Sequence, residues 1–177
     1  MEIIKTSIEG LVIIQPRVFE DERGYFMETY KEAFIKENFP DIDFIQDNES
    51  KSTFGVLRGL HFQKPPFEQT KLVRVIDGEV LDVAVDLRKD SPTYGKWESI
   101  ILSGENKKQF FIPKGFAHGF VVLSKDAIFS YKVDSIYAPE YDSGIKFNDE
   151  TLKIDWKLPE KEIKISFKDR ELMNFSK

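Results

Sequence analysis

The apolar residues of this chain fall into short alternating runs rather than helical stripes. Over residues 79–87, Leu81, Val83, Val85 and Leu87 alternate with Asp82, Ala84 and Asp86. That spacing predicts a strand with one buried face and one face on water or a pocket. The run at 70–76 has the same character, and the Asp77-Gly78 pair between the two predicts a β-hairpin. Ala127, Phe129, Tyr131 and Val133 share one face of a further strand. Strands are also predicted at 3–7, 11–14, 97–102 and 108–112, and PKGFAHGF at 113–120 turns into another. Pro16 and DERG at 21–24 predict a loop, and 25–30 reads as extended. FIQDNESKS at 44–52 reads as a polar strand or loop that gathers Gln46, Asp47, Asn48 and Ser50. One helix is predicted over 31–38, ended by Pro40. Residues 137–148 read as irregular, and the tail from 152 to 177 as a short strand, a break at Pro159 and a terminal helix. Many short strands with turn signals between them predict an all-β sandwich or barrel.

Composition narrows the function classes. A chain of 177 residues is long enough for one domain with a sizeable core, and its sixteen phenylalanines favour a sheet-based core or an aromatic-lined cavity. The net charge of −5 gives no general drive toward nucleic acid or an anionic membrane, so an anionic ligand needs a local basic cluster. With no cysteine, disulfides, thiolate metal sites and cysteine nucleophiles are excluded. The N-terminal stretch is too short and too charged for a signal peptide, and no run approaches the length of a membrane helix, which together suggest a cytoplasmic protein. No glycine-rich phosphate loop precedes a helix, which argues against a doubly wound nicotinamide enzyme.

Candidate chemistry centres on GVLRGLHFQKPPFEQTK at 55–71. It holds His61, one of only two histidines. If 57–63 is a strand, alternation puts His61 and Gln63 on one face and Arg58 on the other. Lys71 opens the next run, so a base, an amide and a cation can converge. A metal site fits poorly, because a paired ligand two positions after His61 is replaced by Gln63. Acid–base chemistry fits better, with neutral His61 as base and a pocket-held Tyr131 as acid. Asp169 can orient His61, Lys71 can neutralise an oxyanion, and Arg23 and Arg58 can meet phosphates. Each residue alone also has a plain structural reading, as a half-buried histidine, a core tyrosine or a solvated charge.

Taken together, these residues closely resemble the dTDP-4-dehydrorhamnose 3,5-epimerase family of cupin-type sugar-nucleotide enzymes. The resemblance runs through FEDERGYFMETY at 19–30, FIQDNESKS at 44–52, GVLRGLHFQKPP at 55–66, KLVRVIDGEVLDVAVDLRKDSPTYGKW at 71–97, IPKGFAHGF at 112–120, YKVDSIYAP at 131–139 and FKD at 167–169. It implies a cupin-like jelly-roll barrel with a few short helices, spanning 1–177 as a single epimerase domain. It implies a cofactor-independent reaction at C3 and C5 of a nucleotide-linked 4-keto-6-deoxy-hexose, converting dTDP-4-dehydro-6-deoxy-D-glucose to dTDP-4-dehydro-L-rhamnose. On matching positions, His61 is the base, Asp169 holds its tautomer, Lys71 stabilises the enolate and Tyr131 protonates the opposite face. Arg23, Glu28, Gln46, Asp47, Asn48, Arg58, Gln63, His118, Asp142 and Lys168 match substrate-binding positions, and Tyr137 matches an aromatic that stacks on the base. The resemblance implies no metal and no cofactor. It also implies a homodimer that exchanges N-terminal strands and shares binding residues between subunits. The chain departs from the family at Asp142, commonly glutamate, and at Phe147, commonly tryptophan. C3-only or C5-only epimerases, relatives acting on GDP- or CDP-linked hexoses or heptoses, and an inactive sugar-nucleotide-binding barrel are the alternatives.

Overall fold

The alternating runs pair into antiparallel sheets. The computed structural model describes residues 1–176, so position 177 of the predicted tail lies outside the described residues. In chain order the strands are β1 (Glu2–Lys5), β2 (Val12–Gln15), β3 (Val18–Asp21), β4 (Gly24–Met27), β5 (Gln46–Thr53), β6 (Leu57–Gln63), β7 (Lys71–Asp77), β8 (Glu79–Asp86), β9 (Trp97–Ser103), β10 (Gln109–Ile112), β11 (Phe116–Val122), β12 (Asp126–Val133) and β13 (Asp142–Gly144). Helix α1 (Glu32–Asn38) follows β4, and a single turn, α2 (Phe167–Arg170), lies near the C-terminus. A six-stranded sheet has the order β1-β2-β10-β7-β12-β5, and a five-stranded sheet the order β13-β6-β11-β8-β9. From β5 to β12 the chain alternates between the sheets, apart from the β8–β9 hairpin, and this alternation defines the cupin-like jelly roll.

Several boundaries differ from expectation. The stretch at 18–27, which includes the expected loop at 21–24, forms a two-stranded ribbon, β3–β4, with its turn at Glu22-Arg23. Asp77-Gly78 makes a corner rather than a hairpin. β7 pairs with β10 and β12, whereas β8 pairs with β11 and β9. Local turn chemistry specifies the reversal but not which sheet the next strand joins. Gly78 has φ +79°, and a Cβ there would lie 2.1 Å from the Asp126 carbonyl oxygen, so glycine is required at that corner. β8 is buried on both faces, because it lies inside its sheet with the barrel on one side and the C-terminal segment on the other. The irregular region contains β13, paired to the β6 edge, and the predicted tail strand is replaced by isolated bridges at Lys164 and Met173.

The core is layered. Val73, Val75, Phe110, Ile112, Phe120 and Phe129 pack between the sheets. Leu57, Leu60, Leu81, Val83 and Val121 on the outer face of the five-stranded sheet are covered by Ile145, Phe147, Leu152, Trp156 and Phe175. Ile35 of α1 packs on Val12, Ile14, Leu72 and Phe111, outside the six-stranded sheet. Each such side chain, once buried, contributes about 1.5–3 kcal/mol of transfer free energy. The apolar filling between the sheets stops at Phe120 and Phe129, and beyond them lies a polar cavity.

Candidate active site

That cavity has a volume of about 660 Å³ and is walled by both sheets. From the five-stranded sheet come Arg58 and His61 on β6 and His118 on β11. From the six-stranded sheet come Asn48 and Ser50 on β5, Lys71 on β7 and Tyr131 on β12. Lys168 and Asp169 enter from α2.

Arg58 and His61 face the same cavity, against the simple alternation expected of β6. Between the pairs His118↔His61 and Phe120↔Arg58, β11 advances two residues and β6 advances three. The extra residue is a β-bulge, and it restores Arg58 and His61 to one face while Leu57 and Leu60 share the other. Gly59 sits in the bulge at φ +128°, and a Cβ there would meet the Gly119 Cα at 2.5 Å. Two glycines thus let the strands close over a bulge that brings the arginine and the histidine together.

His61 is one-third exposed to the cavity, and its Nε2 lies 2.8 Å from Asp169 Oδ1. Asp169 is buried and further fixed, since its own N–H donates to Ser166 Oγ at 3.0 Å and its Oδ2 accepts from the Gly59 N–H at 3.5 Å. Burial pushes the Asp169 carboxyl up, but the hydrogen bond and charge of His61, with the Gly59 and Ser166 bonds, hold it below the usual carboxylate range. An ionised Asp169 therefore takes the Nε2 proton of His61 as a hydrogen bond and leaves Nδ1 with its lone pair. On the facing wall, burial raises the Tyr131 phenol above its ordinary value, with Arg58 opposing, so the phenol keeps its proton. The Lys71 ammonium makes no hydrogen bond or ion pair among the described residues, and burial pushes it down to about 8 despite the support of Asp82 and Asp142. Arg58 Nε donates to Ser52 Oγ at 3.1 Å.

At the pocket mouth, the Tyr137 hydroxyl donates to Asp142 Oδ2 at 3.1 Å, and the Lys168 ammonium binds the same oxygen. Other expected site residues lie elsewhere. Gln63 does not line this cavity. Its amide is buried and spent on the chain itself, donating to the Phe67 and Ile136 carbonyls at 2.6 and 3.0 Å and accepting from the Ala138 N–H at 2.7 Å. It therefore anchors the loop that presents Tyr137. Asp47 points to the opposite face of β5 and pairs with Lys132 at 2.7 Å, and Gln46 donates to Asn48 Oδ1 at 2.8 Å. Arg23 is exposed on the β3–β4 ribbon against Asp21, and Glu28 pairs with Lys31 at 3.5 Å, both outside this cavity. Sequence reasoning does not single out Asp82, Gly59 or Ser166. Asp82 stands in an alternating run whose polar face carries the signal, whereas a bulge glycine and a helix cap leave none that is distinctive.

No cluster of three or more histidine or acidic side chains able to hold a metal occurs among the described residues. No helix among them is long and apolar enough to cross a membrane. Fold and pocket define a jelly-roll protein with a histidine–carboxylate pair and a protonated tyrosine on facing walls of one cavity. The profile of the dTDP-4-dehydrorhamnose 3,5-epimerase family matches residues 5–177. A dTDP-4-dehydrorhamnose 3,5-epimerase from Methanothermobacter thermautotrophicus is 58% identical over 168 residues, covering 94% of this chain and 90% of that protein. The crystal structure of the enzyme of that name from Elizabethkingia anophelis superposes with a TM-score of 0.95 at 53% identity, covering 99% of this chain and 96% of that one. A dTDP-6-deoxy-D-glucose-3,5-epimerase from Legionella pneumophila, solved with dTDP-4-keto-L-rhamnose, gives a TM-score of 0.94 at 50% identity, covering 98% and 92%. This chain belongs to the dTDP-4-dehydrorhamnose 3,5-epimerase family.

Proposed function

We propose that His61, Tyr131, Lys71 and Asp169 carry out the family's epimerisation in this chain. The chain is an isomerase that inverts C3 and C5 of dTDP-4-dehydro-6-deoxy-D-glucose to give dTDP-4-dehydro-L-rhamnose. One observation carries the residue roles: a lone-pair histidine and a protonated tyrosine on opposite walls, with a lysine free of protein partners among the described residues in the same cavity.

The ketone at C4 acidifies the hydrogens at both neighbouring carbons. His61 Nδ1 removes one of these protons, and the electrons of the broken C–H bond move to the C4 oxygen. The Lys71 ammonium donates to that oxygen as its charge grows, which is worth most in a cavity that excludes water. The Tyr131 hydroxyl returns a proton to the same carbon from the other face, and the configuration inverts. Exchange with solvent then removes the proton from the His61 imidazolium and returns one to the Tyr131 phenolate, and the cycle repeats at the second carbon. Each step balances on protons alone, so the scheme needs no cofactor and no metal. Asn48, Arg58 and His118 contact the substrate within the cavity, while Tyr137, Asp142 and Lys168 hold the nucleotide end.

We infer a homodimer. Phe19, Tyr25 and Phe26 are exposed on the β3–β4 ribbon, which favours packing on a second copy. Arg23 and Glu28 would then serve the cavity of the partner protomer, with Gln46 and Asp47 near the shared boundary. The nucleotide-sugar substrate supports a cytoplasmic setting, and we read residues 1–177 as one epimerase domain. The test is product capture. Incubation with dTDP-4-dehydro-6-deoxy-D-glucose, followed by reduction with a 4-keto reductase and hydrolysis, is expected to yield L-rhamnose. Recovery of a sugar inverted at one carbon would overturn the double inversion, and unchanged D-configuration would overturn the activity.

A further inference from the structure

A second histidine–carboxylate pair lies in the same cavity, and the proton-transfer scheme leaves it unused. His118 Nε2 lies 3.0 and 2.9 Å from the two oxygens of Asp82. Asp82 on β8 is fully buried and has no other side-chain hydrogen-bond partner among the described residues. His118 is 7% exposed and lines the cavity directly opposite His61 in the β6–β11 ladder. Its Nδ1 makes no hydrogen bond, yet it is not among the buried polar atoms left unpartnered, so what access it has is to the cavity. Burial disfavours the charged form of His118, while Asp82 favours it and Lys71 opposes it. Burial thus lowers the imidazole below its ordinary value despite Asp82, and this lowering favours the neutral ring. A neutral imidazole that gives its Nε2 proton to Asp82 as a hydrogen bond has a bare Nδ1, which can only accept.

We propose that Asp82 is a positioning residue that fixes His118 as a hydrogen-bond acceptor for the hexose hydroxyl beside the ketone. The inference rests on the reading of Lys71 as the group at the C4 oxygen. Of the two carbons flanking C4, C3 bears a hydroxyl, whereas C5 bears the methyl group and the ring oxygen. A donor at C4 and an acceptor beside it therefore match a ketone flanked by a hydroxyl. A sugar lacking that hydroxyl leaves a buried acceptor unpaired, and sites built this way discriminate strongly.

The chain has only two histidines, so ¹⁵N NMR of the histidine-labelled full-length protein reads both rings, with His118 assigned by its loss in His118→Gln. The expected His118 signal is a neutral ring protonated at Nε2. The opposite tautomer or an imidazolium overturns the proposal without any change to Asp82. The substrate half is read by deuterium exchange at C5, comparing dTDP-4-dehydro-6-deoxy-D-glucose with its 3-deoxy analogue. Wild type is expected to exchange the analogue at least about a hundredfold more slowly. In folded Asp82→Asn that gap is expected to shrink below about tenfold, because the native substrate loses the same contact. Equal rates in wild type, or a full gap in Asp82→Asn, contradict the assignment. Failure of the epimerase reading looks different: the native substrate itself does not exchange, whatever the tautomer.

Discussion

The His61–Asp169 and His118–Asp82 pairs are the same two chemical groups in two settings. Asp169 hangs from the α2 turn at the edge of the five-stranded sheet and accepts from the Gly59 N–H as well as from His61. Asp82 lies inside that sheet, with His118 as its only side-chain hydrogen-bonding partner among the described residues. The first carboxyl is held below its ordinary range by its donors, although burial opposes this; the second is raised by burial despite His118 and Lys71. His61 is one-third exposed and can approach a substrate carbon, whereas His118 is sunk in the wall. A carboxylate with several donors suits a histidine that must accept charge, while one with a single donor suits a histidine that must keep one tautomer. In the proposed scheme, proton transfer is thereby separated from recognition within one ladder of the sheet.

The largest expected effect tests that separation. His61→Ala should lower turnover by about 10³–10⁴-fold, the upper range for a general base, with an unchanged far-UV spectrum because the side chain lines a cavity rather than the core. His118→Ala should instead act mainly on KM; an equal loss of kcat in both variants would erase the distinction. Next comes Lys71→Met, expected to cost about 10²–10³-fold in kcat, as for loss of one donor to a developing oxyanion. The ammonium is the active form, so wild-type activity should decline as pH rises through about 8, and this alkaline limb should vanish in the variant.

Asp169→Asn should slow exchange by about a hundredfold, below the cost of losing the base itself. It should also change acid stability. A carboxyl held low in the folded state stabilises the fold above the unfolded carboxyl value of 3.8, and that contribution is lost as pH falls through the lower folded value. Acid titration of the variant should therefore show a shallower loss than wild type. Tyr131→Phe should permit proton loss while slowing inversion by about tenfold or more, seen as deuterium entering the substrate without matching product. The smallest effect on chemistry and the clearest on stability belongs to Gly59→Ala. A positive φ and the approach to Gly119 predict a loss of about 1–3 kcal/mol in urea unfolding. A wild-type midpoint in that variant would remove the bulge from the account.

The strands of this molecule are largely legible in the sequence because alternation is a local property. Ala127, Phe129 and Val133 are buried on one face of β12, with Tyr131 among them at the cavity, as their spacing predicts. Pairing is less legible. Asp77-Gly78 announces a reversal, but the destination of β8 depends on which sheet has room for it, and that is a property of the whole barrel. The position of Arg58 is hidden for a related reason, since one extra residue in β6 inverts the parity of everything beyond it and leaves only two glycines as its trace. Gln63 looks like a ligand because amides bind ligands, yet its donors and acceptor are consumed by the loops around Phe67 and at 136–138. The facing of His61 and Tyr131 across the cavity needs the resemblance or the fold, because 70 residues of chain separate them.

Proton NMR of dTDP-4-dehydro-6-deoxy-D-glucose in D2O, with wild type and the Tyr131→Phe variant side by side, tests the central claim most directly. It resolves deuterium entry at C3 and C5 separately from the change of configuration at each carbon. The account predicts exchange with inversion at both carbons in wild type, and exchange that outruns inversion in the variant. Exchange and inversion that stay locked together in the variant, or a wild type that exchanges neither carbon, would contradict it.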